Sequence, residues 1–357
     1  MKKITTIITA MLLATGIAAY AKKPVSQEQY IIGLNPDSFL LVYSTGKSFE
    51  GLEVPADIAT NKSAKMQKIK LPKSLSQGIE LDQLINIGND HIMALVTVDN
   101  SNSNFAYIYS IKDLLNGDDS QVSKLKLPNG YDPTITYSSE NWKTGTPQFF
   151  TYAVTNDKDS ASQIHTFLLS TDIKYQNINT LATLDLPANI KGKNLNMTTF
   201  MKEVSDPQPG HGYRFPAGLV FQLNGTDKIS GFLLQPAYTN GVGYSLKLSE
   251  QYNVGTGTYP AVAGIAKDTN IAMVSSSGTS LNSNILNHQL GSETGVSKYA
   301  NGSYPSVAAI YGTVALSPYL FETHRASDNS VWLDVFNYLP GSDTPLSLNK
   351  SVEVYKG

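Results

Sequence analysis

Gly257-Thr-Tyr-Pro-Ala-Val-Ala263 returns 45 residues later as Gly302-Ser-Tyr-Pro-Ser-Val-Ala308. Each copy leads into another apolar run, Ile271-Ala-Met-Val274 in the first and Val314-Ala-Leu316 in the second. A fixed period of this size marks a repeat architecture, because one unit cannot bury its own apolar face and needs stacked neighbours.

Outward from this pair, the chain from Tyr30 reads as short β runs separated by Gly, Pro, Asn, Asp and Ser, with almost nothing of helical period. The runs fall into sets of four, over 30–71, 83–127, 134–186, 197–248, 261–299 and 306–355. The fourth set is the loosest, interrupted by Asp206-Pro-Gln-Pro-Gly-His-Gly212. A Leu-Pro pair closes the first three sets, at Leu71-Pro72, Leu127-Pro128 and Leu186-Pro187. The second run of most sets is continuously apolar, as for a strand covered on both faces. These features predict an all-β chain, a six-bladed β-propeller of four-stranded antiparallel blades. Seven blades or paired β-sandwiches are the structural alternatives. Gly33-Leu-Asn-Pro36, Gly130-Tyr-Asp-Pro133 and Tyr213-Arg-Phe-Pro216 resemble the opening motif, and turn chemistry accounts for its prolines.

Residues 1–21 read as a signal peptide: Lys2 and Lys3, an apolar stretch from Ile4 to Ala19, and the small-x-small site Ala19-Tyr20-Ala21. The stretch is broken by threonines and Gly16, and is short for a spanning helix of about 20 residues. The expected organisation is therefore signal peptide 1–21, N-terminal extension 22–29 and a single propeller domain 30–357. The expected location is secreted or periplasmic, with no membrane span after cleavage.

Cysteine is absent, which removes disulfides, thiolate metal sites and a cysteine nucleophile together. The formal charge of −2 is too balanced to favour nucleic acid. Charged residues are 16% of the chain while tyrosine occurs 20 times, a surface suited to neutral polar ligands such as sugars. The histidines, at 91, 165, 211, 288 and 324, show no metal-ligand spacing, and no hydrolase elbow, P-loop or dinucleotide fingerprint is present. No catalytic or cofactor-binding residue stands out. Calcium is a weak candidate through Asp157-Lys-Asp159, which a solvated hairpin loop explains better.

Tyr304-Pro-Ser-Val-Ala308, then Phe321-Glu-Thr-His324, then Ser330-Val-Trp-Leu333 resembles the repeat of bacterial propeller lectins of the Photorhabdus lectin-like type. The resemblance covers one unit well, the Gly257 unit in part, and the remainder as pattern. It implies sugar binding in pockets between blades, with Glu322, His324 and Trp332 at the family's polar and aromatic positions. No other unit repeats Glu-x-His or that tryptophan. His211, in its Gly-rich loop, joins them as a candidate ligand-binding residue, whereas Trp142 and Trp332 also suit partly buried core positions. An ion pair of Glu322 with Arg325 at the surface is the bland account of that segment.

The expected function is a noncatalytic exported binding protein for a glycan. The alternatives are an envelope protein-protein interaction scaffold, or a propeller hydrolase or lyase with carboxylates gathered on the axis. If residues 1–21 are removed on export, mass spectrometry of the mature chain finds Lys22 first; an N-terminus at Met1 in exported material contradicts this.

Overall fold

The computed structural model describes residues 28–357 apart from 77–78, 89, 99–100, 139–147, 158–161, 173, 200–201, 204–212, 215, 240, 266–269, 288, 310–318, 340–341 and 343–344. The leader and most of the extension lie outside the described residues, as do His211, Trp142 and Asp159. Gln29, expected to end the extension, already belongs to the first strand.

Four antiparallel sheets of four strands stand apart from one another. The first holds β1 (Gln29–Asn35), β2 (Ser38–Ser44), β3 (Phe49–Pro55) and β4 (Gln67–Ile69), and is followed by a short helix α1 (Lys73–Ser76). The second holds β5 (Ile79–Gly88), β6 (His91–Val98), β7 (Asn104–Ser110) and β8 (Ser123–Lys126), with helix α2 (Ile111–Asn116) after its third strand. Next along the chain come β9 (Tyr131–Ser138), β10 (Gln148–Thr155), β11 (Ser162–Thr171), β12 (Ile178–Asp185) and β13 (Lys191–Thr199). A small pair, β14 (Lys202–Glu203) and β15 (Tyr213–Arg214), precedes β16 (Ala217–Leu223), β17 (Lys228–Thr239), β18 (Gly243–Leu248) and β19 (Tyr252–Thr256). The last two separate sheets are β20 (Thr258–Gly264), β21 (Ile271–Ser277), β22 (Ser280–Leu286) and β23 (Ser292–Asn301), then β24 (Ser303–Ala309), β25 (Tyr319–Arg325), β26 (Val331–Tyr338) and β27 (Leu346–Tyr355).

The expectation of six separate blades is corrected in the middle of the chain, where the third and fourth expected units form one nine-stranded sheet. Its order is β18-β17-β16-β13-β11-β10-β9, with β12 also on β11 and β19 also on β17. The physical reason is overhang. β11 runs beyond the end of β10, and its unpaired Ser162 and Gln163 take Gly192 and Lys191 of β13 as partners. β17, 12 residues long, is shared at its outer edge: β19 pairs with its first part and β18 with its last.

The first strands nonetheless touch in a closed cycle, β1 to β5, β9, β13, β20, β24 and back to β1. That cycle makes the architecture a β-propeller with four-stranded antiparallel blades rather than a face-packed sandwich. Alternation along the strands builds the cores between sheets. β2 is buried along its whole length, and β6, β16, β21 and β25 nearly so, as their apolar sequences required. Leu71, Leu127 and Leu186 are buried just past the ends of β4, β8 and β12, where the following proline releases the chain from the sheet edge.

Neighbouring first strands splay too far apart to pair backbone to backbone, and side chains bridge them instead. Gln83 Oε1 accepts from the Ile135 N–H at 2.8 Å and from the Thr134 hydroxyl at 3.0 Å, tying β5 to β9. Asn86 Nδ2 donates to the carbonyls of Gly33 and Leu34, tying β5 to β1. The Thr199 hydroxyl meets the Tyr137 carbonyl across β13 and β9. Asn196 Oδ1 and the Thr198 hydroxyl accept from the Val262 and Gly264 N–H groups of β20. The Ser306 hydroxyl accepts from the Ile31 N–H at 3.2 Å, tying β24 to β1.

No strand is exchanged between the first and last sheets; β1 and β27 each stay in their own. Their seam is filled by an apolar cluster that includes Phe39, Leu41, Phe321 and Leu333, with the Phe39 and Phe321 rings 4.0 Å apart. Arg325, buried there, donates from Nη2 to the Ser44 carbonyl at 2.7 Å and from Nη1 to the Asn329 carbonyl. A surface pair with Glu322 is thereby ruled out, since both are buried and residues three apart on β25 face opposite sides.

Replacing Gln83 by methionine keeps its bulk but leaves the Ile135 N–H without its acceptor. The expected cost is about 1–3 kcal/mol, read as a lower urea midpoint at an unchanged m-value; an unchanged midpoint would show that the bridge contributes nothing.

Candidate functional site

The cycle of first strands encloses an axial cavity of about 600 Å³. Its lining includes Glu28, Asp82, Asp90 and Asp132 together with Tyr30, Tyr137, Tyr259 and Tyr304, and, among the described residues, no lysine, arginine or histidine. Cavities that hold small ligands carry a few convergent polar groups on apolar walls, and this one fits that description with a negative bias.

The polar groups gather where the first strands begin, and a backbone irregularity puts them there. Register breaks between Leu81 and Gln83, Lys193 and Asn196, Thr258 and Ala261, and Ser303 and Ser306; in β9 it skips from Tyr131 to Thr134. A bulge re-aims the side chain of the residue it frees. The residues within these breaks include Asp82, Asp132, Asn194, Tyr259 and Tyr304, and all five line the cavity. The break in β1 lies at its opposite end, between Gly33 and Asn35.

Four of the five adopt left-handed backbone: Asp132 at φ 46°, Asn194 at 51°, Tyr259 at 50° and Tyr304 at 52°. Asp and Asn visit this region readily, whereas tyrosine does not. Each such residue costs on the order of 1–3 kcal/mol and persists only where its surroundings impose it. Pro133, Pro260 and Pro305 follow three of them and fix the next φ. The repeated glycine makes room for the bulge. A side chain at Gly302 would run into the His324 ring at 2.4 Å, and one at Gly257 would meet Ser275 Oγ and the Ser276 carbonyl at 2.7 Å. The turn expected at the Tyr-Pro motif is thus a bulge aimed at the axis. Gly33-Leu-Asn-Pro36 and Tyr213-Arg-Phe-Pro216 fall elsewhere, at the far end of β1 and before β16.

Around this mouth the Tyr259 and Tyr304 rings lie 4.6 Å apart at 54°. Asp132 Oδ2 accepts from the Asn194 N–H at 3.2 Å, across two first strands. Asp82 Oδ2 accepts from the Thr97 hydroxyl at 2.8 Å. The Tyr30 hydroxyl is held against the Glu28 carboxylate and the Leu81 carbonyl. Burial raises the Asp82 pKa well above the ordinary aspartate value; Thr97 opposes this, while Glu80, Glu28 and Asp132 add to it. Tyr259 is pushed up to about 12, by burial first and then by Tyr304, Glu28 and Asp132. Such an arrangement can accept hydrogen bonds from hydroxyl groups and offer an aromatic face.

The residues singled out in the sequence sit elsewhere. Glu322 and His324 are buried within the last blade, on the side of β25 that faces the preceding blade. Burial pushes the Glu322 pKa up, with His324 opposing. Burial works against a charge on His324, yet Glu322 and then Asp334 hold its pKa above the usual value. Trp332 pairs across the strands with His324, is partly exposed, and donates from Nε1 to Ser330 Oγ at 2.9 Å. These three are brought together, but not at the axial mouth. Asp82, Asp132 and Glu28 were missed by sequence reasoning. The available signal was the residue before proline, aspartate in Gly130-Tyr-Asp-Pro133 where the later copies have tyrosine.

No family model matches the chain, and no curated protein matches it. Among solved structures, an arginine-to-alanine triple mutant of AofleA from Arthrobotrys oligospora is similar at a TM-score of 0.56 and 10% identity, over 92% of this chain and 87% of that one. A protein of unknown function from Dyadobacter fermentans is similar at 0.47 and 11% identity, over 90% and 92%. The Dos1 propeller follows at 0.46 and 11%, over 93% and 74%. At these identities the likeness is one of fold.

Because the folded pKa of Asp82 is raised, the folded state holds its proton where the unfolded chain has released it. Ionising it in place lowers stability as pH rises from about 4. Asp82→Asn is therefore expected to melt at a higher temperature than the parent at pH about 7, with the gap closing toward pH about 4. A gap independent of pH would contradict the assignment.

Proposed function

We propose that this propeller is an exported carbohydrate-binding protein, and that its ligand site is the axial mouth formed by Asp82, Asp132, Asn194, Tyr259 and Tyr304. The observation that carries the reading is the convergence of five bulge residues, two of them tyrosines in left-handed backbone, on one cavity. Sugars present hydroxyl groups to carboxylates and amides, and a C–H face to aromatic rings.

Three further features support parts of this reading. The nine-stranded sheet contributes two first strands, β9 and β13, to the cycle, which supports reading it as two blade positions. The unit from Tyr304 to Leu333 resembles a Photorhabdus-type lectin repeat in sequence. Residues 1–21 have the make-up of an export signal, which supports a periplasmic or extracellular location, where glycans are available partners. No helix among the described residues is long and apolar enough to cross a membrane.

The test is a glycan array probed with the mature chain and its variants. Binding is expected to fall about tenfold or more, about 1.4 kcal/mol, in the double variant Tyr259→Ala with Tyr304→Ala and in Asp132→Asn. Trp332→Ala should bind as the parent does. Loss in Trp332→Ala alone would move the site to the blade rim, and absence of any glycan binding would favour an envelope protein as partner.

A further inference from the structure

The side of the last blade that faces β20–β23 carries a polar cluster that the axial mouth does not use. Glu322 of β25 stands directly opposite Asp334 of β26, and His324 opposite Trp332. His324 Nδ1 lies 3.0 Å from Glu322 Oε2 and 3.7 Å from Asp334 Oδ2. Glu322 is 0% exposed, Asp334 1% and His324 3%. One ligand atom from each of the three falls within 4.8 Å of the others.

The cluster is left incomplete by its own side chains. Glu322 Oε1 and both carboxylate oxygens of Asp334 are buried without a hydrogen-bond partner. The Tyr299 hydroxyl, brought in from β23, leans toward Glu322 and favours its carboxylate, but also stops short of full hydrogen-bond geometry. Ser351 of β27 is the cross-strand neighbour of Asp334, and hydrogen bonding from its side chain favours the carboxylate, yet neither Asp334 oxygen has a partner at full hydrogen-bond geometry. Buried carboxylate oxygens are costly to leave unmatched, and native structures rarely leave several together. A hydrogen bond from His324 to Glu322 accounts for one oxygen and leaves the other three.

We propose that Glu322, His324 and Asp334 bind a divalent first-row cation of the zinc class, as a structural staple beside the seam between the last two blades. Two carboxylates, a neutral imidazole and a dication sum to zero charge, which a buried site requires. The separations of 3.0 and 3.7 Å bracket the edge of about 3.3 Å that a tetrahedron with metal-ligand bonds of about 2.0 Å would have. One nitrogen and two oxygen donors suit zinc, whereas calcium takes about six to eight oxygens and magnesium keeps an octahedral, largely hydrated shell. The Tyr299 hydroxyl or a water takes the fourth position. Neither histidine spacing nor any metal motif announces this site, because its ligands lie on adjacent strands two residues apart and directly opposite.

The alternative is a cluster that holds protons alone, an imidazolium between one carboxylate and one carboxylic acid. Metal analysis of untagged mature chain purified without chelator separates the two. About one equivalent of zinc per chain is expected, with a melting temperature that falls on chelation and recovers with zinc but not with calcium or magnesium. The near-isosteric variants Glu322→Gln and Asp334→Asn should retain no zinc and lose the response to it. A parent chain that holds no zinc and melts identically with and without added zinc would overturn the proposal. So would variants that respond to zinc as the parent does.

Discussion

The structure depends on how the six first strands satisfy backbone groups that they cannot offer to one another. Each strand pairs outward with the second strand of its unit, and its inner edge faces the axis. Buried or half-buried N–H and C=O groups there need partners of some kind. Short amides and hydroxyls supply them, Gln83, Asn86, Asn196, Thr198, Thr199 and Ser306 each reaching across one gap. The same choice gives the cavity its character. Side chains that close the ring are polar and neutral, so the axis gains a polar lining, to which the bulged residues at its mouth add Asp82 and Asp132.

Much of this architecture was legible along the chain. The returning Gly-x-Tyr-Pro run, the buried second strands and the Leu-Pro closures all follow from local requirements: a close approach, two covered faces, a chain leaving a sheet edge. The fusion of β11 with β13 was not legible, because it turns on two residues of overhang, Ser162 and Gln163, relative to β10. Strand patterns mark which residues face a core and say little about where one sheet stops. The bridging residues were equally hidden, since a glutamine at the axis and a glutamine in solvent share one sequence pattern.

The site was less legible than the fold, for a physical reason that particular residues illustrate. Glu322 and His324 stood out because their Glu-x-His run resembles a lectin repeat and occurs in one unit only, yet such a pair suits a buried cluster as well as an open pocket. Pattern cannot distinguish the two; the cross-strand arrival of Asp334 does. Tyr259 and Tyr304 were visible as repetition and therefore read as architecture. They are architecture, but the left-handed backbone that makes room for the strands also aims the rings inward. One residue type at one position serves both packing and exposure, and repetition alone does not show the second use.

The seam between the first and last sheets is held by an apolar filling and a short polar bridge, and no strand crosses it. Covalent order therefore plays no part in holding the circle together. A circularly permuted chain, cut in any link between neighbouring first strands and joined across the present termini, would keep every one of these bridges. By the same logic units can be gained, lost or reshuffled in descent without a dedicated clasp having to move with them, which lets individual blades diverge as far as these have.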